Sequence, residues 1–123
     1  MKSPSILIVA CDPYLAGIYG RKFERDHWQV QICETLPEAM PQIALFRPDI
    51  LLLSTDCTVD LPEEIKRLRA LPALLEKPIV LLTKKISRSE LHLAYKAGVA
   101  TCLLLGHFVP QEAVEKMRAL LKA

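Results

Sequence analysis

Glycine is scarce in this chain, with four in 123 residues. None of the four follows the first strand-like run in a phosphate-cradling spacing, so nucleotide or flavin binding has little support. The cysteines Cys11, Cys33, Cys57 and Cys102 stand 22, 24 and 45 positions apart. That spacing contains no C-x-x-C pair of the zinc-ribbon or thioredoxin kind, and it reads as small buried thiols of a reducing compartment. Long hydrophobic runs are absent too: Ile6 to Cys11 and Cys102 to Gly106 fall far short of the ~20 residues that a membrane-spanning helix needs. Met1 to Ser5 shows no basic stretch followed by a long apolar core, so no secretory leader is read and a cytoplasmic location is expected. The formal net charge is only +2 with both signs interspersed, too weak a field for nucleic acid or an anionic membrane. His27, His92 and His107 are too scattered for a metal motif, and at 6% aromatic content Trp28, Tyr14, Tyr19, Phe23 and Phe46 read as core and rim packing, not a stacking platform for bases.

What is present is apolar patterning: 51% hydrophobic against 24% charged residues, the balance of a folded globular chain. At this length one domain, residues 1–123, is expected, and it needs no disulfide to hold it. Ile6-Leu7-Ile8-Val9-Ala10, Ile50-Leu51-Leu52-Leu53 and Pro78-Ile79-Val80-Leu81-Leu82-Thr83 are continuous apolar runs of strand length, the signature of strands covered on both faces. We read them as β1, β3 and β4. Trp28, Val30 and Ile32 alternate with Gln29 and Gln31, which predicts an edge strand, β2, and Ala100 to Leu104 predicts β5.

Helix signals fall between these runs. Asp12-Pro13 starts α1, which is expected to reach about Asp26. Thr35 and Glu38 form a capping box ahead of α2, but Pro41 inside the apolar stripe predicts a short, kinked or irregular helix. Leu61-Pro62 opens α3, with Glu63 and Glu64 in its first turn and Lys66, Arg67 and Arg69 in its last. Ser87 and Glu90 cap α4, which Gly98 closes, and Pro110 opens α5 with the stripe Val114, Met117 and Leu121. Five strands alternating with five helices predict an α/β, flavodoxin-like, doubly wound five-stranded parallel sheet in the order 2-1-3-4-5. The functional crevice of such a sheet lies outside the carboxyl ends of its strands. Here that edge is built from Cys11, Asp12, Ser54, Thr55, Asp56 and Thr83.

Several segments in this order resemble the receiver domain of bacterial response regulators, the CheY-like superfamily. They are Ile6 to Val9 with Asp12-Pro13, Arg47-Pro48-Asp49 running into Ile50 to Leu53, Leu68 to Leu74, Pro78 to Thr83, and Ala97-Gly98. In that family a phosphoryl group passes to an aspartate that closes β3. Counting from Arg47-Pro48-Asp49 puts Ser54 at the acceptor position, and a serine hydroxyl cannot form an acyl phosphate. The family's two acidic Mg²⁺-binding positions after β1 correspond to Cys11 and Asp12. A thiol is a poor magnesium ligand, so Mg²⁺ binding is expected to be weak or absent. Leu105, or Gly106 depending on where a one-residue insertion falls, occupies the position of the family's lysine. Thr83 matches the switch threonine, while Cys102 or Leu103 replaces its aromatic partner. Asp12 has a sufficient role as the α1 cap.

The resemblance therefore implies an atypical receiver that is not an enzyme. It would be a phosphorylation-independent pseudo-receiver, a protein-interaction module of bacterial two-component signalling. The expected contact surface is the α4-β5-α5 face, with Lys84, Lys85, Arg88, His92, Tyr95, Lys96, His107 and Phe108, used for a protein partner or a homodimer. Two alternatives are carried forward: a phosphoaccepting receiver that uses Asp56 as a displaced acceptor, and a thiol or small-ligand protein on the same fold using Cys11 and Cys57.

Overall fold

The computed structural model describes residues 3–106 and 109–122. The strands are β1 (Ser5–Val9), β2 (Gln29–Cys33), β3 (Ile50–Ser54), β4 (Ile79–Thr83) and β5 (Thr101–Leu104). They alternate with the helices α1 (Pro13–Arg25), α2 (Leu36–Phe46), α3 (Leu61–Arg69), α4 (Arg88–Ala97) and α5 (Pro110–Lys122). All neighbouring strands pair in parallel, in the order β2-β1-β3-β4-β5. This is the doubly wound, flavodoxin-like arrangement anticipated above.

Alternation along the strands builds two cores. Leu7, Val9, Leu51, Leu53, Ile79 and Leu81 point toward Ile43 of α2, Ile65 and Leu68 of α3, and Ala94 of α4. Their neighbours Ile6, Ile8, Ile50, Leu52, Val80 and Leu82 point the other way, onto Tyr19 and Phe23 of α1 and Val114 and Met117 of α5. At the amino edge of the sheet, Asp49 ties two central strands together. Its carboxylate accepts from the Ser5 amide at 2.9 Å and the Ser5 hydroxyl at 3.2 Å, while its own amide donates to Ser5 Oγ at 3.0 Å. Arg47 supplies the left-handed end of α2, at φ 51°, and Pro48 is buried. The Arg47-Pro48-Asp49 motif thus has a structural explanation of its own.

Two expectations need correction. Helix α2 is an unbroken eleven-residue helix despite Pro41. Its first turn is capped from both sides: Glu38 N donates to Thr35 Oγ1 at 3.3 Å, and Glu34 N donates to Glu38 Oε2 at 3.1 Å. Leu36, Ala39 and Ile43 anchor its buried stripe, and Pro41 lies on the exposed side, where water can serve the one carbonyl left without a donor. Tyr14 is 75% exposed and is no part of core or rim, because the start of α1 directs it outward. Ile32 is 43% exposed, since β2 is an edge strand and its outer end is only partly covered. The remaining aromatics pack as expected: Tyr19, Phe23 and Trp28 are buried, Phe46 is half-buried, and Phe23 and Trp28 meet edge to face at 5.0 Å.

Gly98 ends α4 at φ 119°, and a Cβ there would stand 2.7 Å from Arg69 Cδ. Strain and clash act together, so Gly98→Ala is expected to lower stability by about 2 kcal/mol in urea unfolding. Helices α1 and α5 are joined by Arg118, which donates to Asp26 Oδ2 at 2.7 and 3.1 Å and to the Asp26 carbonyl at 2.9 Å. The Arg118 hydrogen bond holds the Asp26 carboxyl below its ordinary value, outweighing a smaller upward push from burial, with further lowering by the Trp28 indole. A depressed carboxyl stabilises the fold above its unfolded value, and that stabilisation disappears as pH falls through the folded value. Because the side chains are 39% and 35% exposed, Arg118→Ala should cost only about 1 kcal/mol near neutral pH. The gap from the parent protein should narrow as pH falls through and below the ordinary carboxylate range, as read by urea unfolding across a pH series.

Candidate functional site

The carboxyl ends of β1, β3 and β4 stop at one edge, and the loops that leave them bring the predicted residues together. Asp12 caps α1, accepting from Tyr14 N at 2.9 Å and Leu15 N at 3.4 Å through Oδ1. Ser54 closes β3 with 2% exposure and pairs in register with Leu82 of β4. Strand β3 does not extend beyond it: Thr55–Cys57 turn into a short 3₁₀ segment. Asp56, carried on that turn, is exposed, so the lengthened β3 that a displaced acceptor requires is not formed.

Thr83 is 3% exposed and its hydroxyl is saturated. It accepts from Thr55 Oγ1 at 2.7 Å and from Lys85 N at 3.3 Å, and it donates to the Lys85 carbonyl at 3.0 Å. One donor and two acceptor positions are all that a hydroxyl has. Thr58 Oγ1 extends the network by donating to the Thr55 carbonyl at 2.7 Å. The exits of β3 and β4 are thereby tied to each other through side chains. Leu105, at the position where the resemblance would place a lysine, donates its amide to the Thr83 carbonyl at 2.8 Å. Its side chain packs, half-buried, against the α1/α5 core. Cys102 faces the other core, and burial pushes its thiol up. Leu103 is 4% exposed.

The expectation that the cysteines are simply buried holds only for Cys33; Cys11 is exposed, and Cys57 and Cys102 are half-buried. Cys11 and Cys57, 46 positions apart in sequence, bring their sulfurs to 2.7 Å. Cys57 Sγ also reaches the Glu34 carbonyl at 3.4 Å. Its thiol is pushed up to about 12, first by burial and then by the adjoining Cys11 sulfur. Both residues stand just past strand ends, Cys11 after β1 and Cys57 after β3, but nothing in their spacing reveals the contact. The Thr55–Thr83 bond, 28 positions apart, was equally invisible.

Beside this edge an open groove of about 630 Å³ runs between the β3–α3 and β4–α4 connections, lined by Thr55, Thr58, Asp60, Lys85, Ile86, Glu90 and Leu93 among others. One lysine against two carboxylates makes it a poor place for a dianion. Among the described residues no three His, Cys, Asp or Glu side chains converge in a way that could hold a metal ion. Lys84, Lys85, Arg88, His92, Tyr95 and Lys96 are all exposed on the β4–α4 connection and α4. His107 and Phe108, the other two residues of the expected contact surface, lie outside the described residues. No described helix is long and apolar enough to cross a membrane.

No protein-family model and no curated protein matches the chain. Solved structures do. A protein described as a response regulator from Chloroflexus aurantiacus J-10-fl matches with a TM-score of 0.86 at 27% identity, covering 99% of this chain and 100% of that one. The fold is that of response-regulator receiver domains. A CheY-like receiver domain protein from Methanospirillum hungatei JF-1 matches at 0.87 with 18% identity, covering 98% of this chain and 95% of the other. An orphan response regulator of H. pylori matches at 0.85 with 13% identity, covering 97% of each.

The hydroxyl of Thr83 is the point at which this receiver-like edge is most tightly wired. Thr83→Val keeps the shape and removes the hydroxyl, leaving Thr55 Oγ1 and the Lys85 backbone without their partner. It is expected to cost about 1–3 kcal/mol in urea unfolding, with Thr83→Ser close to the parent protein.

Proposed function

We propose that this chain is a pseudo-receiver, a non-enzymatic protein-interaction module of bacterial two-component signalling whose state is not set by aspartate phosphorylation. The receiver fold supports the signalling role. The observation that carries the finer reading is Ser54, a buried hydroxyl where β3 ends, in the position that a phosphoacceptor carboxylate would need. Three further features support it. Asp12 is spent on capping α1, Cys11 faces a second thiol in place of a metal, and Leu105 brings no charge to the edge. Magnesium, a hard cation that requires oxygen ligands, has one carboxylate, Asp12, among the three matched positions. The saturated Thr83 hydroxyl adds a mechanical argument, because an inward swing would break three hydrogen bonds at once.

The contact surface on this reading is the α4-β5-α5 face in the cytoplasm, meeting a protein partner or a second copy of the chain. Arg88, His92, Tyr95 and Lys96 recur at helical spacing along α4 and are exposed together. Tyr95, at 44% exposure, adds apolar area beside the charges, a mixture suited to a protein contact. The weak formal charge of +2 argues against nucleic acid or an anionic membrane as the target.

Incubation with acetyl phosphate and Mg²⁺, followed by intact mass spectrometry, tests the reading. The expected spectrum shows no added phosphoryl mass. A stable adduct that maps to Asp56 and disappears in Asp56→Asn would replace the pseudo-receiver with a displaced-acceptor receiver.

A further inference from the structure

The mouth of the sheet holds one feature that the receiver-like reading does not use: two thiols from different loops in direct contact. Cys11 leaves β1 just ahead of the α1 cap, and Cys57 closes the 3₁₀ turn after β3. Their sulfurs stand 2.7 Å apart, so an S–S bond of about 2.05 Å asks them to approach by only roughly 0.7 Å. Among the described residues, the other two cysteines have no sulfur within contact: Cys33 is buried beneath α2 and Cys102 lies on β5. Cys11 is exposed and Cys57 is half-buried, the arrangement of an accessible attacking thiol backed by a sheltered resolving one.

We propose that Cys11 and Cys57 form a reversible redox pair that cross-links the β1–α1 and β3–α3 loops across the mouth of the sheet. The oxidant is a low-molecular-weight disulfide such as glutathione disulfide. The Cys11 thiolate attacks one sulfur of that disulfide, forming a mixed disulfide and expelling one thiolate, which takes up a proton. Cys57, which burial keeps protonated, gives up its proton to solvent as its sulfur attacks Cys11 Sγ; the new Cys11–Cys57 bond forms, and the second small thiolate leaves and is protonated. Two protein thiols have lost two electrons and two protons, and one small disulfide has become two small thiols. Excess reduced thiol runs the sequence backwards.

The cross-link would fix the edge that carries Asp12, Ser54 and Asp56, and through the Cys57 contact with the Glu34 carbonyl it would also bear on the β2–α2 connection. Redox poise becomes an input to the same end of the sheet at which the receiver fold takes its signal. The chemistry stands whether or not the chain proves to be a pseudo-receiver, since phosphoryl acceptance on Asp56 and disulfide formation are read by different masses.

The full chain equilibrated in glutathione disulfide under native conditions should lose two of its four titratable thiols. Peptide mapping should find Cys11 joined to Cys57, and excess reduced glutathione should restore all four thiols. Cys57→Ser should instead retain a glutathione adduct on Cys11, and Cys11→Ser should form neither the adduct nor the bond; circular dichroism establishes that both variants are folded. Four free thiols in the oxidised parent protein, or a glutathione adduct on Cys11 that never resolves, would overturn the proposal.

Discussion

Strands β1, β3 and β4 have no side open to water. Every residue of Ile6 to Ala10, Ile50 to Ser54 and Ile79 to Thr83 is buried, and a strand in that position can be polar only where it begins or stops. The amino edge uses its polar groups for structure: Ser5 and Asp49 close on each other in four hydrogen bonds counting the backbone pair. The carboxyl edge receives Ser54 and Thr83, the other buried polar residues of the described structure. Chemistry on this molecule is therefore confined to one rim, and the loops that leave it decide what the rim can do. Helices α1 and α5 cover one face and α2, α3 and α4 the other, so those loops are also the places where the chain passes from sheet to helix.

The parts of this arrangement that depend on local chemistry were legible in the sequence. Continuous apolar runs marked the three covered strands, Asp12, Thr35 and Ser87 marked helix starts, and Gly98 marked a left-handed stop that the structure places at φ 119°. The sheet order followed from the alternation of strands and helices together with the right-handed crossover rule. Pro41 misled because its local penalty is one hydrogen bond, whereas α2 buries Leu36, Ala39 and Ile43; burial of three side chains outweighs it. Tyr14 misled in the opposite direction, since helical spacing alone does not say which face of a first turn the core reaches.

What remained hidden at the rim are contacts between residues far apart in the chain. The candidate residues Cys11, Asp12, Ser54, Thr55, Asp56 and Thr83 could be placed on one edge from the topology alone. Which of them touch could not. The 2.7 Å approach of Cys11 to Cys57 and the 2.7 Å bond of Thr55 to Thr83 depend on how the β3 exit turns, and Thr55–Cys57 form a 3₁₀ segment that no spacing rule foretells. The same turn exposes Asp56 and shelters Cys57, so a single local conformation sets both the carboxylate and the thiol in their places.

On the proposed reading, the changes at this rim are one electrostatic event. A carboxylate at position 54 would be almost wholly buried, and without a lysine at position 105 or a metal to answer it, its desolvation would go uncompensated. A lysine at the half-buried position 105 would face a smaller penalty, since its long stem can carry the charge to solvent. The neutral set actually present, Ser54 with Leu105 and two thiols, avoids both penalties and lets Thr83 settle into its own hydrogen bonds. Restoring a carboxylate at position 54 alone would therefore weaken the fold before it restored any chemistry. On that reading, a carboxylate at position 54 is tolerable only together with a cation that answers it.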